Sequence, residues 1–142
     1  DDLLVCTVLT ASGMDLVVVN FQEDTRYTFQ KGVGRSLHRI PNTDLFSYIS
    51  LKEDRAVVRS MNPHSGVNER IIELPEGVQD VCWFPDGTLL CGQGNKLFGF
   101  HPERDERWKL LHEFAQEFGS ITRLAIHPSG TRLALVAQIE TN

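Results

Sequence analysis

The sequence contains no apolar stretch approaching the ~20 residues that a membrane-spanning helix requires. Its first two residues, Asp1 and Asp2, are acidic, whereas a secretory signal opens with positive charge. We therefore expect no membrane span, and no targeting signal is visible in this chain.

The chain also has little positive charge. It contains 14 Lys and Arg against 19 Asp and Glu, and its formal net charge is -5 at pH 7. The basic residues are scattered, and a negatively charged protein repels a phosphate backbone. Because 41% of the residues are hydrophobic and 23% are charged, the composition is otherwise that of a folded globular protein. The sequence predicts no nucleic-acid partner.

The three cysteines include no C-x-x-C pair of the kind that binds zinc or carries out thiol exchange. Cys82 and Cys91 fall on two predicted strands of one hairpin, so a cross-strand disulfide is conceivable. The alternative is three buried free thiols.

Catalytic and cofactor motifs are missing as well. The segment His112–Gln116 begins like a zinc-binding H-E-x-x-H but has Gln at the second ligand position. Gly32–Ser36 lacks the third glycine and the following helix of a phosphate-binding loop, and we predict that it connects two sheets. No G-x-S-x-G sequence is present. We therefore expect no catalytic residue, metal or cofactor.

What the chain does contain is an internal repeat. Pro41, Pro85 and Pro128 are 44 and 43 residues apart, and each sits in a turn between two apolar segments. This spacing matches the ~40–45 residue period of a four-stranded propeller blade. The sequence predicts an all-β partial β-propeller with about three four-stranded antiparallel blades.

Within each repeat the apolar runs predict strands that we label A to D in chain order. The chain contains BCD, then ABCD twice, then AB, in one partial propeller domain divided at 1–30, 31–75, 76–119 and 120–142. One segment conflicts with this pattern, because Trp108, Leu111, Ala115 and Phe118 follow helical spacing. We predict a strand over Trp108–Phe114, as the repeat requires, and allow a helical turn over Ala115–Phe118.

Two of the repeats resemble a known family. Trp83–Leu90 and Ile126–Ala134 are similar to the x-Pro-Asp-Gly-x-x-(Ile/Leu)-Ala signature of TolB-like propellers, a WD-repeat-like family, and Gly13–Val19 resembles the start of its strand C. No repeat carries the Gly-His and Trp-Asp pair of eukaryotic WD repeats, so the bacterial branch is the better match. The resemblance implies a six-bladed ring and a periplasmic or cell-surface location.

Three blades do not close a ring, and an open arc exposes sheet edges and faces. The chain is then either the C-terminal part of a longer propeller or a half-propeller that associates with further copies of itself. In both cases the expected partner is a set of missing blades.

In a propeller, the strand A segments line the channel, and the D-to-A and B-to-C loops share one mouth of it. This geometry gives a predicted mouth as the candidate binding site. Its residues are Arg35, Ser36, His38, Glu76, Gln79, Asp80, Thr122, Arg123, Asp15, Glu53 and Asn95.

Three functions remain open on these grounds. The first is a non-enzymatic module that binds a protein, peptide or carbohydrate at the cell envelope. The second is a propeller enzyme, either a metal-dependent hydrolase resembling lactonases or the propeller half of a peptidase. The third is a purely structural, self-assembling half-propeller.

Overall fold

The computed structural model describes residues 2–139, in which every regular element is a β-strand. The strands form four antiparallel sheets, and within each sheet the strands follow one another in chain order. The sheets contain three, four, four and two strands along the chain, in agreement with the succession BCD, ABCD, ABCD, AB. The chain divides into two compact units.

The first unit comprises the residues up to Arg39 together with Asp44–Leu74. It contains blade 1, which has three strands, and blade 2, which has four. The strands are β1 (Leu3–Thr10), β2 (Gly13–Asn20) and β3 (Thr25–Lys31) in blade 1, and β4 (Val33–Arg39), β5 (Phe46–Ser50), β6 (Val57–Met61) and β7 (Asn68–Glu73) in blade 2.

The second unit comprises Ile40–Thr43 and the chain from Pro75 onward. It contains blade 3, which has four strands, and blade 4, which has two. The strands are β8 (Val81–Trp83), β9 (Leu89–Gln93), β10 (Lys96–Phe100) and β11 (Lys109–Glu113) in blade 3, and β12 (Phe118–Ile126) and β13 (Leu133–Ile139) in blade 4.

Each unit has its own apolar cluster between two sheets. In the first unit, Leu16 and Val18 of blade 1 pack with Val33, Tyr48 and Met61 of blade 2. In the second unit, the cluster is formed by residues of blades 3 and 4: Cys82, Leu90, Leu97, Ile121 and Leu124. Because both clusters combine side chains from two sheets, packing between neighbouring blades supplies the core.

The prolines of the three repeats lie in tight turns between strands A and B. The N–H of Gly87 donates to the carbonyl of Phe84 at 3.0 Å, and Gly130 donates to His127 at 2.8 Å. Both glycines have positive φ, 91° and 71°. In the first repeat the left-handed residue is instead Asn42, with φ 60°, one position earlier. A proline followed by a left-handed Asn is typical of a type II turn, which explains how this hairpin forms without glycine.

The turn allowed over Ala115–Phe118 is present as a single turn, and it does not extend into a helix. A hydrogen bond from the N–H of Phe118 to the carbonyl of Ala115, 3.0 Å long, closes one turn there. Phe118 then begins β12 and pairs with Ile139. Pairing with β13 therefore decides the conformation of a segment whose local spacing is helical.

The observed connection between blades 1 and 2 is shorter than the predicted one over Gly32–Ser36. Only Gly32 separates β3 from β4, and the four residues after it belong to β4. Gly32 has φ 70°, donates its N–H to the carbonyl of Met14 at 3.0 Å and accepts the N–H of Leu51 at 2.9 Å. One left-handed residue is thus enough to pass from blade 1 to blade 2.

All three thiols are free. Cys82 lies opposite Leu90 and Cys91 lies opposite Val81 in the β8–β9 pair. Directly opposed residues share a face of the sheet, and successive residues alternate faces, so the Cys82 and Cys91 side chains project from opposite faces. This geometry explains why the conceivable disulfide is not formed.

Candidate functional site

Five of the predicted mouth residues lie in the first unit. Arg35, Ser36 and His38 are on β4, Asp15 is on β2, and Glu53 is in the loop between β5 and β6. The structure brings two of them together, because the His38 Nε2 lies 3.1 Å from the Ser36 Oγ. Arg35 is exposed, whereas Ser36 is buried.

Glu53 lies at the end of a polar network in the same unit. Its carboxylate is 3.7 Å from the Arg59 guanidinium, and Arg59 is directly opposite Tyr48 in the β5–β6 pair. The Tyr48 hydroxyl donates to the Gln30 Oε1 at 2.8 Å, and the Gln30 Nε2 donates to the Ser50 Oγ at 2.8 Å. Burial raises the pKa of Tyr48, and the neighbouring Arg59 opposes this. Since Gln30 is in β3, the network joins blade 1 to blade 2.

The other six predicted mouth residues lie in the second unit, and three of them contact the backbone or a side chain of a neighbouring segment. The Asp80 Oδ2 accepts the N–H of Leu124 at 2.9 Å. The Asn95 Nδ2 donates to the carbonyl of Phe114 at 2.7 Å, and the carbonyl of Glu76 accepts the Gln93 Nε2 at 2.9 Å.

The remaining three have different surroundings. Thr122 and Arg123 are consecutive in β12, where the Thr122 Oγ1 donates to the carbonyl of Val136 at 3.3 Å and the Arg123 guanidinium donates to the carbonyl of Thr122 at 2.8 Å. Gln79 is exposed next to Asp80. A single mouth shared by the residues of both units stays a prediction from the sequence.

A concavity of about 350 Å³ lies at the end of the blade 3 and blade 4 strands that is opposite to the loops of the predicted mouth. We call it the turn concavity, because its lining belongs to the A-to-B turns of two repeats: Phe84, Pro85, Asp86, Ser129 and Gly130. The prolines of these turns predict only a change from strand A to strand B, and they do not reveal the concavity. The signal was present in the residue after each proline, which is Asn42, then Asp86, then Ser129.

Asp86 is the charged group of the turn concavity. Its Oδ1 accepts the N–H of Thr88 at 2.9 Å. This hydrogen bond is the main reason why the pKa of Asp86 lies below its ordinary value, and the charges of His101 and Arg104 add smaller contributions. Because such a bond favours the ionised form, Asp86 carries a negative charge at neutral pH.

Ser129 supplies a hydroxyl on the other side of the turn concavity. Its Oγ lies 2.7 Å from the His127 Nδ1 and 2.7 Å from the Thr131 Oγ1. These contacts join residues two apart in the same turn, a local pattern common for serine in turns. They fix the position of the hydroxyl without forming a catalytic triad.

Residues 2–139 contain no group of three or more His, Cys, Asp or Glu side chains placed to hold a metal ion. Over the same range, none of the elements is a helix long and apolar enough to cross a membrane.

No protein-family model matches this sequence, and no curated protein matches it. Among solved structures, the crystal structure of TolB from Acinetobacter baumannii is similar with a TM-score of 0.74. The match covers 99% of this chain and 36% of the TolB chain, at 11% sequence identity. This similarity establishes the fold, which is a partial, TolB-like β-propeller. The chain spans about a third of the length of the solved protein that it resembles.

Proposed function

We propose that this chain is a non-enzymatic β-propeller interaction module and that it forms the C-terminal part of a longer propeller in a single domain. The observation that carries the proposal is the unequal strand number of the blades. Within residues 2–139, blades 2 and 3 have four strands, whereas blade 1 has three and blade 4 has two. Strands β1 and β13 hold the position of strand B, yet in this part of the chain each pairs on one side only, and native proteins avoid such exposed edges because they promote aggregation.

Blade 4 also has an open apolar face. Leu124 and Leu135 point toward blade 3, and the residues next to them in each strand point the other way. Ala125, Ala134 and Val136 on that second face are exposed, and Val136 is 59% exposed. A face of this kind is covered in a completed propeller by the next blade.

Blade 1 has the corresponding features at the start of the chain. Leu3 and Val5 of β1 pack against the core of the first unit, whereas Leu4 and Val8 on the other face are 45% and 39% exposed. Among the residues that the structure describes, strand β1 pairs only with β2, although the equivalent strands β5 and β9 pair on both sides. Further strands from a longer chain would cover both the face and the edge.

Amide hydrogen exchange tests this part of the proposal. In the 142-residue chain, we expect the edge amides of β1 and β13 to exchange quickly and those of β5 and β9 to exchange slowly. In the protein expressed from its full reading frame, the β1 and β13 amides should become protected. A discrete dimer of the shorter chain in light scattering, with β1 and β13 already protected, would show that a second copy supplies the missing strands.

We further propose that the completed propeller binds its partner, a protein, peptide or carbohydrate at the bacterial cell envelope, through the predicted mouth. The TolB-like resemblance supports the location, and Arg35 is an exposed charged residue of the predicted mouth. Arg35→Glu should weaken capture of the partner in a pull-down of the full-length protein. The matched control is Arg26→Glu, which changes an exposed residue on the outer strand β3. Undiminished capture by the mouth variant would contradict the proposal.

A further inference from the structure

The residue after the proline differs between the A-to-B turns of successive repeats, and it determines whether one turn can donate a hydrogen bond to the next. In the first repeat, the Asn42 Nδ2 donates to the carbonyl of Pro85 in the next turn, at 3.3 Å. Asp86 occupies the equivalent position in the second repeat, and an ionised carboxylate has no hydrogen to donate. The junction between the second and third turns therefore cannot form the bond that Asn42 makes, and the turn concavity lies at that junction.

The lining of the turn concavity combines flat apolar surface with acceptors. The side chains of Phe84 and Pro85 supply the apolar surface, while Asp86 and Ser129 supply a carboxylate and a hydroxyl. Hydrogen bonding of the Asp86 Oδ1 to the N–H of Thr88 and of the Ser129 Oγ to His127 holds both acceptors in place. The volume of about 350 Å³ lies at the lower end of the range for ligand sites, which suits a single side-chain group.

We propose that the turn concavity binds the guanidinium group of an arginine side chain carried by a partner protein. A guanidinium is planar, stacks on flat rings and offers several N–H donors to a carboxylate, whereas the ammonium of lysine is a compact point charge. The net charge of -5 favours approach of a basic segment. The site lies within the second unit and requires no additional blades, so it does not depend on the function proposed above.

The test is an NMR titration of the ¹⁵N-labelled chain with N-acetyl-arginine amide at constant ionic strength. We expect chemical-shift changes at the amides of residues 86–88 and 129–131. The neutral isostere N-acetyl-citrulline amide should bind at least about tenfold more weakly, because it lacks the charge that pairs with Asp86.

Two variants locate the interaction. Asp86→Asn keeps the oxygen that accepts the Thr88 N–H, so the turn is retained, but it removes the charge and should weaken binding about tenfold. Asp86→Ser introduces the residue found at the equivalent position of the third repeat and should have a similar effect. The matched control is Asp54→Asn, which removes one charge from the exposed loop between β5 and β6 and should leave binding unchanged.

The proposal is overturned if Asp86→Asn and the original chain bind the probe equally, or if the citrulline analogue binds as well as the arginine one. Shift changes confined to other parts of the chain would also overturn it. So would the absence of any change up to about 50 mM probe, which is roughly fifty times the millimolar Kd expected for a ligand of this size.

Discussion

The carboxylate of Asp80 accepts a hydrogen bond from the backbone N–H of Leu124, 44 residues later in the chain, at 2.9 Å. Asp80 is in the loop that leads into blade 3, and Leu124 is in the first strand of blade 4. This contact between successive repeats joins a side chain to a backbone group at the same place where the apolar cluster of the second unit packs the two sheets together.

We expect Asp80→Ala to destabilise the protein by about 1–3 kcal/mol, because it leaves the partly buried N–H of Leu124 without its acceptor. Asp80→Asn keeps an oxygen in place and should cost less. Urea unfolding of the two variants measures the difference. If Asp80→Ala is as stable as the original chain, the hydrogen bond contributes nothing to stability and ligand binding becomes the better explanation for this residue.

Gly92 in β9 and Gly99 in β10 provide a matched pair of positions for substitution by alanine. A Cβ added at Gly92 would lie 2.5 Å from the Cγ2 and 2.7 Å from the Cβ of Ile121, which is buried between blades 3 and 4. A Cβ added at Gly99 would lie 2.8 Å from the Cδ1 of Leu111, whose side chain is 52% exposed and can move away.

Gly92→Ala should therefore lower the free energy of unfolding by about 1–3 kcal/mol, as overpacking does in a close-packed core. Gly99→Ala should cost less than about 1 kcal/mol, because the atom in the way is the far end of the exposed Leu111 side chain, although Gly99 itself is buried. Thermal unfolding of both variants gives the comparison. Equal effects would mean that Ile121 yields as easily as Leu111.

The three cysteines should differ in reactivity. Burial raises the pKa of Cys82 to about 12 and that of Cys91 to about 12. At pH 8 their thiolate fraction is about 10⁻⁴, and only the thiolate reacts with alkylating agents. We expect one thiol per chain, the half-buried Cys6, to react with iodoacetamide under native conditions and all three to react in urea. Rapid native labelling of Cys91 would contradict its buried position in β9.

Asp86 should make stability depend on pH in the acid range. Its pKa in the folded protein lies below the ordinary 3.8, so the folded state binds the proton less tightly than the unfolded state does. The resulting stabilisation is complete well above pH 3.8 and is lost as the pH falls through the lowered pKa.

On acidification from about pH 6 to about pH 2, the original chain should therefore lose more stability in urea unfolding than Asp86→Asn does. A carboxyl ¹³C titration supplies the control. In Thr88→Ala the pKa of Asp86 should rise but stay below 3.8, because the backbone N–H of residue 88, the largest cause of the lowering, is retained. If Asp86→Asn lost as much stability on acidification as the original chain, this account would be contradicted.

The repeat predicted most of the fold because the Pro-containing turns mark strands A and B directly. Strands C and D follow from apolar runs at fixed offsets, and they appear where expected. The error occurs where local pattern and long-range pairing disagree. Val33 lies within the glycine-rich segment that predicts a connection, but it is buried in β4 and pairs with Ser50.

The candidate sites were less predictable, because a contact between repeats cannot be read from either repeat alone. The position of Asp80 in the blade predicts that it lies in the mouth, but it does not predict that its oxygen contacts Leu124. The turn concavity depends on the difference between an amide at Asn42 and a carboxylate at Asp86. Both residue types are common in turns, so the alignment of repeats alone does not distinguish them.

Each apolar cluster draws its side chains from two sheets. During synthesis, β1, β2 and β3 emerge from the ribosome before blade 2, so Leu16 and Val18 then lack Tyr48 and Met61, the residues against which they pack. This face of blade 1 is therefore covered only after blade 2 has been made, and the corresponding face of blade 3 only after β12 and β13. A pair of adjacent repeats is thus the smallest unit in which these faces become buried, and a nascent chain exposes them until the second repeat of the pair is complete.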